Sequence, residues 1–160
     1  MSVTWYEPPP EETLSDHNLD HKLKTVQLLE GVTDSPLSWN FSFSSDLSFD
    51  GLTVAFNGVN VAGVRSSGQA GLANPSDQRY NFSWIATEKF TLIISNVTDG
   101  DSGMFTCAVD LCQGFVCNDW GSTIKVEVVG KFTRDKKKNT AKINIGKTYH
   151  CKYIHIYPEL

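Results

Sequence analysis

The sequence predicts an all-β protein: one two-layer sandwich over residues 24 to 129, flanked by two extensions that do not share its pattern. Three observations lead there. From Lys24 onward, short apolar segments alternate with period two and are separated by Gly, Asn, Asp and Ser clusters. The 3.6-residue period of an amphipathic helix is absent. The chain has 160 residues, 40% of them hydrophobic, 11% aromatic and only 20% charged, which suits one packed core rather than two or none.

Residues 1 to 23 carry Pro8, Pro9 and Pro10 and a polar run through His21, and read as a disordered linker or leader. The first strands place Val26 and Leu28 inward, then Leu37, Trp39, Phe41 and Phe43, then Leu52, Val54 and Phe56. Between Gly58 and Asp77 the chain is rich in Gly and Ser, which predicts short edge strands and mobile loops. The second half places Tyr80, Phe82 and Trp84 inward, then Leu92 and Ile94, then Phe105, Cys107, Val109 and Leu111, then Ile124, Val126 and Val128. Seven or more short strands of this kind favour a sandwich whose inner faces interdigitate over a closed barrel. Residues 130 to 160 form a basic tail, expected to lie outside the sandwich.

Charge divides at the same boundary. Residues 1 to 130 hold six Lys+Arg against sixteen Asp+Glu, and residues 131 to 160 hold eight against two. An acidic body lacks the clustered cations of a nucleic-acid surface, so no nucleic-acid partner is expected. The Lys136-Lys137-Lys138 run could attract anionic lipid or nucleic acid, act as a solvated linker, or belong to sequence not selected to fold; the abrupt change at Gly130 favours the last. No apolar run is long enough for a transmembrane helix, and the first residues lack a signal peptide's basic start and apolar run. Taken literally that predicts a cytosolic chain; the core sequence argues for a fragment or incomplete gene product of a surface protein, with any membrane contact made through a segment outside this chain.

The most specific run is Phe90-Thr-Leu-Ile-Ile-Ser-Asn-Val-Thr-Asp-Gly-Asp101-Ser-Gly103-Met-Phe105-Thr-Cys107. An Asp in a tight turn can cap backbone N–H groups and pair with a nearby Arg, while Gly103 relieves the turn sterically. The run resembles strand E, the E–F corner and strand F of a variable-type immunoglobulin domain, whose pattern is Asp-x-Gly/Ala-x-Tyr-x-Cys. Leu28-Leu-Glu-Gly31 and the glycine-led Trp120-Gly121-Ser-Thr123-Ile-Lys-Val-Glu-Val extend the resemblance. It implies an immunoglobulin-like Greek-key sandwich and assigns Arg79 as the partner of Asp101.

Three positions depart from the family pattern. Trp39 stands where the strand B cysteine belongs, so Cys107 cannot form the usual inter-sheet disulfide, a loss of about 4 kcal/mol of cross-link stabilisation. Phe56 replaces the strand C tryptophan, and Phe105 replaces the corner tyrosine and its hydroxyl. Trp39 is expected to pack against Cys107 and supply the missing bulk.

Cysteines stand at 107, 112, 117 and 151, without the paired spacing of a zinc site. Cys112 and Cys117 flank Gln113-Gly-Phe-Val116, where strands F and G should turn; a disulfide there would contribute about 2 kcal/mol, the alternatives being free thiols or pairing with Cys107. Such a bridge needs an oxidising compartment. The sequons at Asn40, Asn81 and Asn96 point the same way, each beside an inward residue and so expected to face solvent.

Catalytic chemistry finds no support. His17, His21, His150 and His155 all fall in the extensions, and no nucleophile elbow, phosphate loop or H-E-x-x-H occurs. His150, Cys151 and His155 lack a fourth nearby ligand, so neither metal nor cofactor is expected. Function is assigned to loops and sheet faces, first to the segment Asp110 to Asp119, with Phe115, Val116 and Trp120 as exposed anchors. The reading is an extracellular recognition or adhesion module that binds a protein ligand or another immunoglobulin domain, like-with-like contact included. Alternatives are a secreted immune-type or matrix protein, and the ectodomain of a tyrosine-kinase-type receptor.

Overall fold

Alternating apolar side chains fold into strands across nearly the whole described chain. The computed structural model describes residues 3–7, 12–16, 19–135 and 140–144, with side chains for 3–7 and 23–130. In order, the strands are β1 (Val3–Glu7), β2 (Glu12–Asp16), β3 (Leu19–Glu30), β4 (Thr33–Phe43), β5 (Ser48–Phe56), β6 (Val59–Arg65), β7 (Ala70–Leu72), β8 (Tyr80–Ile85), β9 (Lys89–Asn96), β10 (Gly103–Gln113), β11 (Val116–Asp135) and β12 (Thr140–Asn144).

They form two layers. The smaller sheet has the order β1-β4-β9-β8; the larger runs β2-β3-β11-β10-β5-β6-β7, with β12 added to the far end of β11. All pairings are antiparallel except β3 with β11, which is parallel. No helix among the described residues is long and apolar enough to cross a membrane.

The core lies between the layers. Leu37, Trp39, Phe41, Phe90, Leu92 and Ile94 enter from the smaller sheet and meet Leu52, Val54, Phe105, Cys107, Val109, Leu111, Ile124 and Val126 from the larger. The remaining side chains expected inward, from Val26 to Val128, either join this cluster or pack against it. Period-two alternation alone places them, because one face of each strand must leave water.

Three differences from the sequence expectations concern the extensions; one is that β2 pairs antiparallel with the start of β3, Glu12↔Leu23 to Asp16↔Leu19, inside the segment expected as a disordered linker. Val3–Glu7 is a strand, paired with β4 from Val3↔Phe43 to Glu7↔Asn40, rather than part of a linker. Its Trp5 is only 7% exposed, with its ring centroid 5.3 Å from that of Phe41. The run Val-Thr-Trp-Tyr is a strand signal, but it is four residues long and followed, after Glu7, by three prolines, which dominate a composition-based reading. At the other end, β11 continues past Gly130 to Asp135 and pairs with β12 through Lys131↔Asn144 to Asp135↔Thr140. The β-branched residues Thr133, Thr140 and Ile143 favour that hairpin, whatever the charge of the segment. Residues 136–139 and 145–160, with His150, Cys151 and His155, lie outside the described residues, as does His17.

Between β5 and β6 the turn is Asn57-Gly58, with φ of 47° and 81°. Two positive φ values in a two-residue hairpin match the turn whose twist fits paired strands, and Asn-Gly is its strongest sequence signature. That dipeptide sits at the start of the stretch expected as edge strands and loops, and it sets β6 as a full seven-residue strand.

Candidate functional site

The E–F corner fixes where the β10–β11 hairpin begins. Asp101 is 2% exposed, and its Oδ2 accepts hydrogen bonds from Thr98 N at 2.8 Å and Thr98 Oγ1 at 2.9 Å. Arg79 makes no hydrogen bond to it, although the Asp101 charge helps to raise the Arg79 pKa. The Arg79 guanidinium bonds in two places to Asp77, Nε to Oδ1 at 3.2 Å and Nη2 to Oδ2 at 3.0 Å, and lies 5.0 Å from the Tyr80 ring centroid. Asp77 stands two residues away in the same loop, so pairing with it orders little extra chain, and Asp101 already has its donors. These bonds to Asp77 are the first cause of a raised Arg79 pKa. Gly103 follows because a Cβ there would come within 2.6 Å of the Asn57 amide and 2.7 Å of the Phe56 ring. The Asn57 side-chain Oδ1 accepts from Met104 N at 2.9 Å, and Asn57 N donates to the Met104 carbonyl at 2.8 Å, so the close approach joins the end of β5 to β10.

Behind the hairpin, Trp39 bridges the layers. It is fully buried, and its indole Nε1 donates to the Ser122 carbonyl at 3.1 Å. Ser122 is the register partner of Cys107, so the indole crosses to the larger sheet beside the unpaired cysteine. Burial pushes the Cys107 thiol well above its ordinary pKa and keeps it neutral. Phe105 is also fully buried and stacks on Phe56 with centroids 4.5 Å apart, a contact that needs no hydroxyl.

The hairpin itself pairs without interruption from Gly103↔Val126 to Gln113↔Val116. Gly114, at φ 61°, is the first of its two turn residues, where a two-residue loop of this hand takes glycine. Cys112 and Cys117 are directly opposed and joined by a disulfide, with Cα atoms 4.0 Å apart. Gln113 Nε2 donates to Asp46 Oδ2 at 2.8 Å, and Ser48 Oγ donates to the Cys112 carbonyl at 3.1 Å, tying the tip to the loop before β5. At that tip Phe115 is 107% exposed and Val116 58%.

Trp120 is not part of this exposed group. Its register partner is Val109, an inward residue, and it packs against the core instead. The alternation that places Val109 inward carries Trp120 to the same side.

The three sequon asparagines fall on one layer. Asn40 lies on β4 between inward Trp39 and Phe41 and is half-buried; Asn81 on β8 and Asn96 at the end of β9 are exposed. The outer face of the larger sheet carries in register Gly63, Thr53, Ala108 and Gly121, a row of small side chains across β6, β5, β10 and β11.

Asp50, Cys112 and Cys117 place possible ligand atoms within 4.8 Å of one another, but the two sulfurs are bonded together, and thiolates rather than a disulfide bind metal. An open groove of about 360 Å³ runs between β4 and the β3–β11 edge, lined by Val26, Leu37 and Ile124, with Lys89 Nζ paired to Glu7 Oε2 at 2.7 Å on its rim. Its charged groups are already paired.

Two facing sheets with this strand order make the chain an immunoglobulin-like sandwich. The solved structure of murine CRIg shares the fold with a TM-score of 0.54 and 13% sequence identity, covering 79% of this chain and 99% of that one. No family model and no curated protein matches the sequence.

Proposed function

We propose that the chain is a variable-type immunoglobulin domain that recognises a protein partner outside the cell through the tip of its β10–β11 hairpin. The observation that carries this reading is a fully exposed Phe115 held on a disulfide-clipped turn. A rigid aromatic side chain with little entropy left to lose is an economical anchor for a partner pocket. The variable-type assignment is supported by β6 and β7 beyond β5 and by the parallel β3–β11 pair. The extracellular setting is supported by the disulfide and by sequons on exposed or half-buried positions of one layer.

The test uses the domain secreted behind an added signal peptide, with glycans on Asn40, Asn81 or Asn96 read by peptide mass spectrometry. Displayed as a tetramer, it is screened against a panel of purified surface-protein ectodomains that includes its own. The expected outcome is a binder whose affinity falls at least about tenfold with Phe115→Ala, about 1.4 kcal/mol. A binder indifferent to Phe115→Ala and Val116→Ala would move the site elsewhere, and bare sequons on efficiently secreted protein would count against the extracellular reading.

A further inference from the structure

Behind the disulfide, on the outer face of the larger sheet, two carboxyl groups meet where salt bridges would be expected. Asp110 and Asp119 are register partners across β10 and β11. Their neighbours Val109 and Leu111 are buried inward, so strand alternation turns this pair to the outer face. Gly51 is the partner of Asp110 on β5, and a Cβ built there would lie 3.4 Å from Asp110 Oδ2, so the carboxyl rests over bare backbone. Just beyond it the β5–β10 ladder breaks register, between Asp110 and Leu111. Beyond that break the ladder to β5 resumes for two pairs, Leu111↔Phe49 and Cys112↔Ser48, so the Asp110–Asp119 link sits at the irregular point of that ladder.

We propose that Asp110 and Asp119 form a proton-dependent clasp of this hairpin. With Asp110 protonated, its carboxyl O–H donates to the Asp119 carboxylate and joins β10 to β11; when the proton leaves, two carboxylates face each other and the strands behind the disulfide loosen. Like charges directly opposed across a strand pair destabilise it.

The electrostatics of the surroundings agree. Burial first, then the hydrogen bond to Asp119 and the negative charges of Asp119 and Asp50, raise the pKa of Asp110 to about 6. On β5 the facing groups are Asp50 and Gly51; on β11 the pair is Asp119, with Lys125 further along opposite Met104; beyond β5, Arg65 of β6 stands opposite Gly51. On β3, Lys22 is the register partner of Ser122, three positions along β11 from Asp119. Neither Arg65 nor Lys125 is among the influences on Asp110.

The sign follows from linkage. A carboxyl whose folded pKa lies above its unfolded value binds its proton more tightly in the folded state. Its contribution to stability is therefore gained as pH falls through about 6 and lost as pH rises through it.

The test needs no partner and so is separate from the fate of the Phe115 reading. The Asp110 side-chain carboxyl is titrated by carbon-13 NMR in the wild type and in Asp119→Asn. Amide protection at Leu111 and Asn118, corrected for intrinsic exchange, and denaturant midpoints are compared at about pH 5 and pH 7.5 in wild type and Asp110→Asn. Expected are a midpoint for Asp110 near 6 that falls in Asp119→Asn, and a gain in protection and stability at the lower pH that Asp110→Asn lacks. An Asp110 titrating in the ordinary carboxylate range, or identical pH dependence in wild type and Asp110→Asn, would overturn the clasp. The NMR titration stands even if Asp110→Asn fails to fold.

Discussion

Trp39 stands where the resemblance to a variable-type immunoglobulin domain implies a cysteine, and it joins the two sheets by packing and a hydrogen bond. Its ring fills the centre of the core while its N–H reaches the Ser122 carbonyl across the interface. Trp39→Ala removes both and is expected to cost about 3 to 5 kcal/mol in denaturant unfolding. Trp39→Phe keeps most of the bulk but leaves the carbonyl without its indole donor; it should cost clearly less, about 1 to 3 kcal/mol. A loss below about 1 kcal/mol in Trp39→Ala would show that the indole does not stand in for that cysteine's disulfide. At this scale much was legible: Trp39, Phe56, Phe105 and Cys107 stand out because they break a known pattern. Arg79 shows the limit, since its partner was chosen by a loop whose shape is not written in spacing. Asp77 lies close enough in sequence to capture the guanidinium before Asp101 can.

Among the elements, the β10–β11 hairpin combines the longest uninterrupted pairing with the most exposed tip. Its disulfide closes a short loop, so removing it with Cys112→Ser/Cys117→Ser should lower stability by about 2 kcal/mol and leave the far-ultraviolet circular dichroism of the sandwich intact. Loss of the β-sheet spectrum would mean that the bridge supports the core rather than the tip. The turn between Cys112 and Cys117 was readable from its flanking cysteines and its glycine. The inward placement of Trp120 was readable too, by extending alternation back from Ile124, but a large aromatic near a loop invites the opposite assignment. Asn57-Gly58 carried an equally direct signal, diluted by the glycine-rich sequence after it. The Asp110–Asp119 pair was not legible, because register between strands decides which carboxylates face one another, and register is a property of the assembled sheet.

For the molecule as a whole, period-two alternation fixed the layers from residue 24 to 129, whereas the ends required the third dimension. β1 lies on the edge of β4 and lowers Trp5 onto Phe41, closing one flank of the core. Trp5→Ala should therefore destabilise the whole sandwich by about 3 kcal/mol rather than fray a terminus. Thermal unfolding unchanged in that variant would return the segment to the linker first expected. Four apolar or β-branched residues and a glutamate beside a proline run are too short a signal to outweigh composition, and only the partner strand makes them a strand.

The division of labour between indole and sulfur reaches back to how the chain acquires its shape. The layers are joined by a hydrogen bond and by packing, and the one disulfide among the described residues sits at the hairpin tip, outside the core. Closing the core around Trp39 therefore needs no oxidised sulfur, and the described sandwich is expected to keep its β-sheet spectrum under reducing conditions that open the tip.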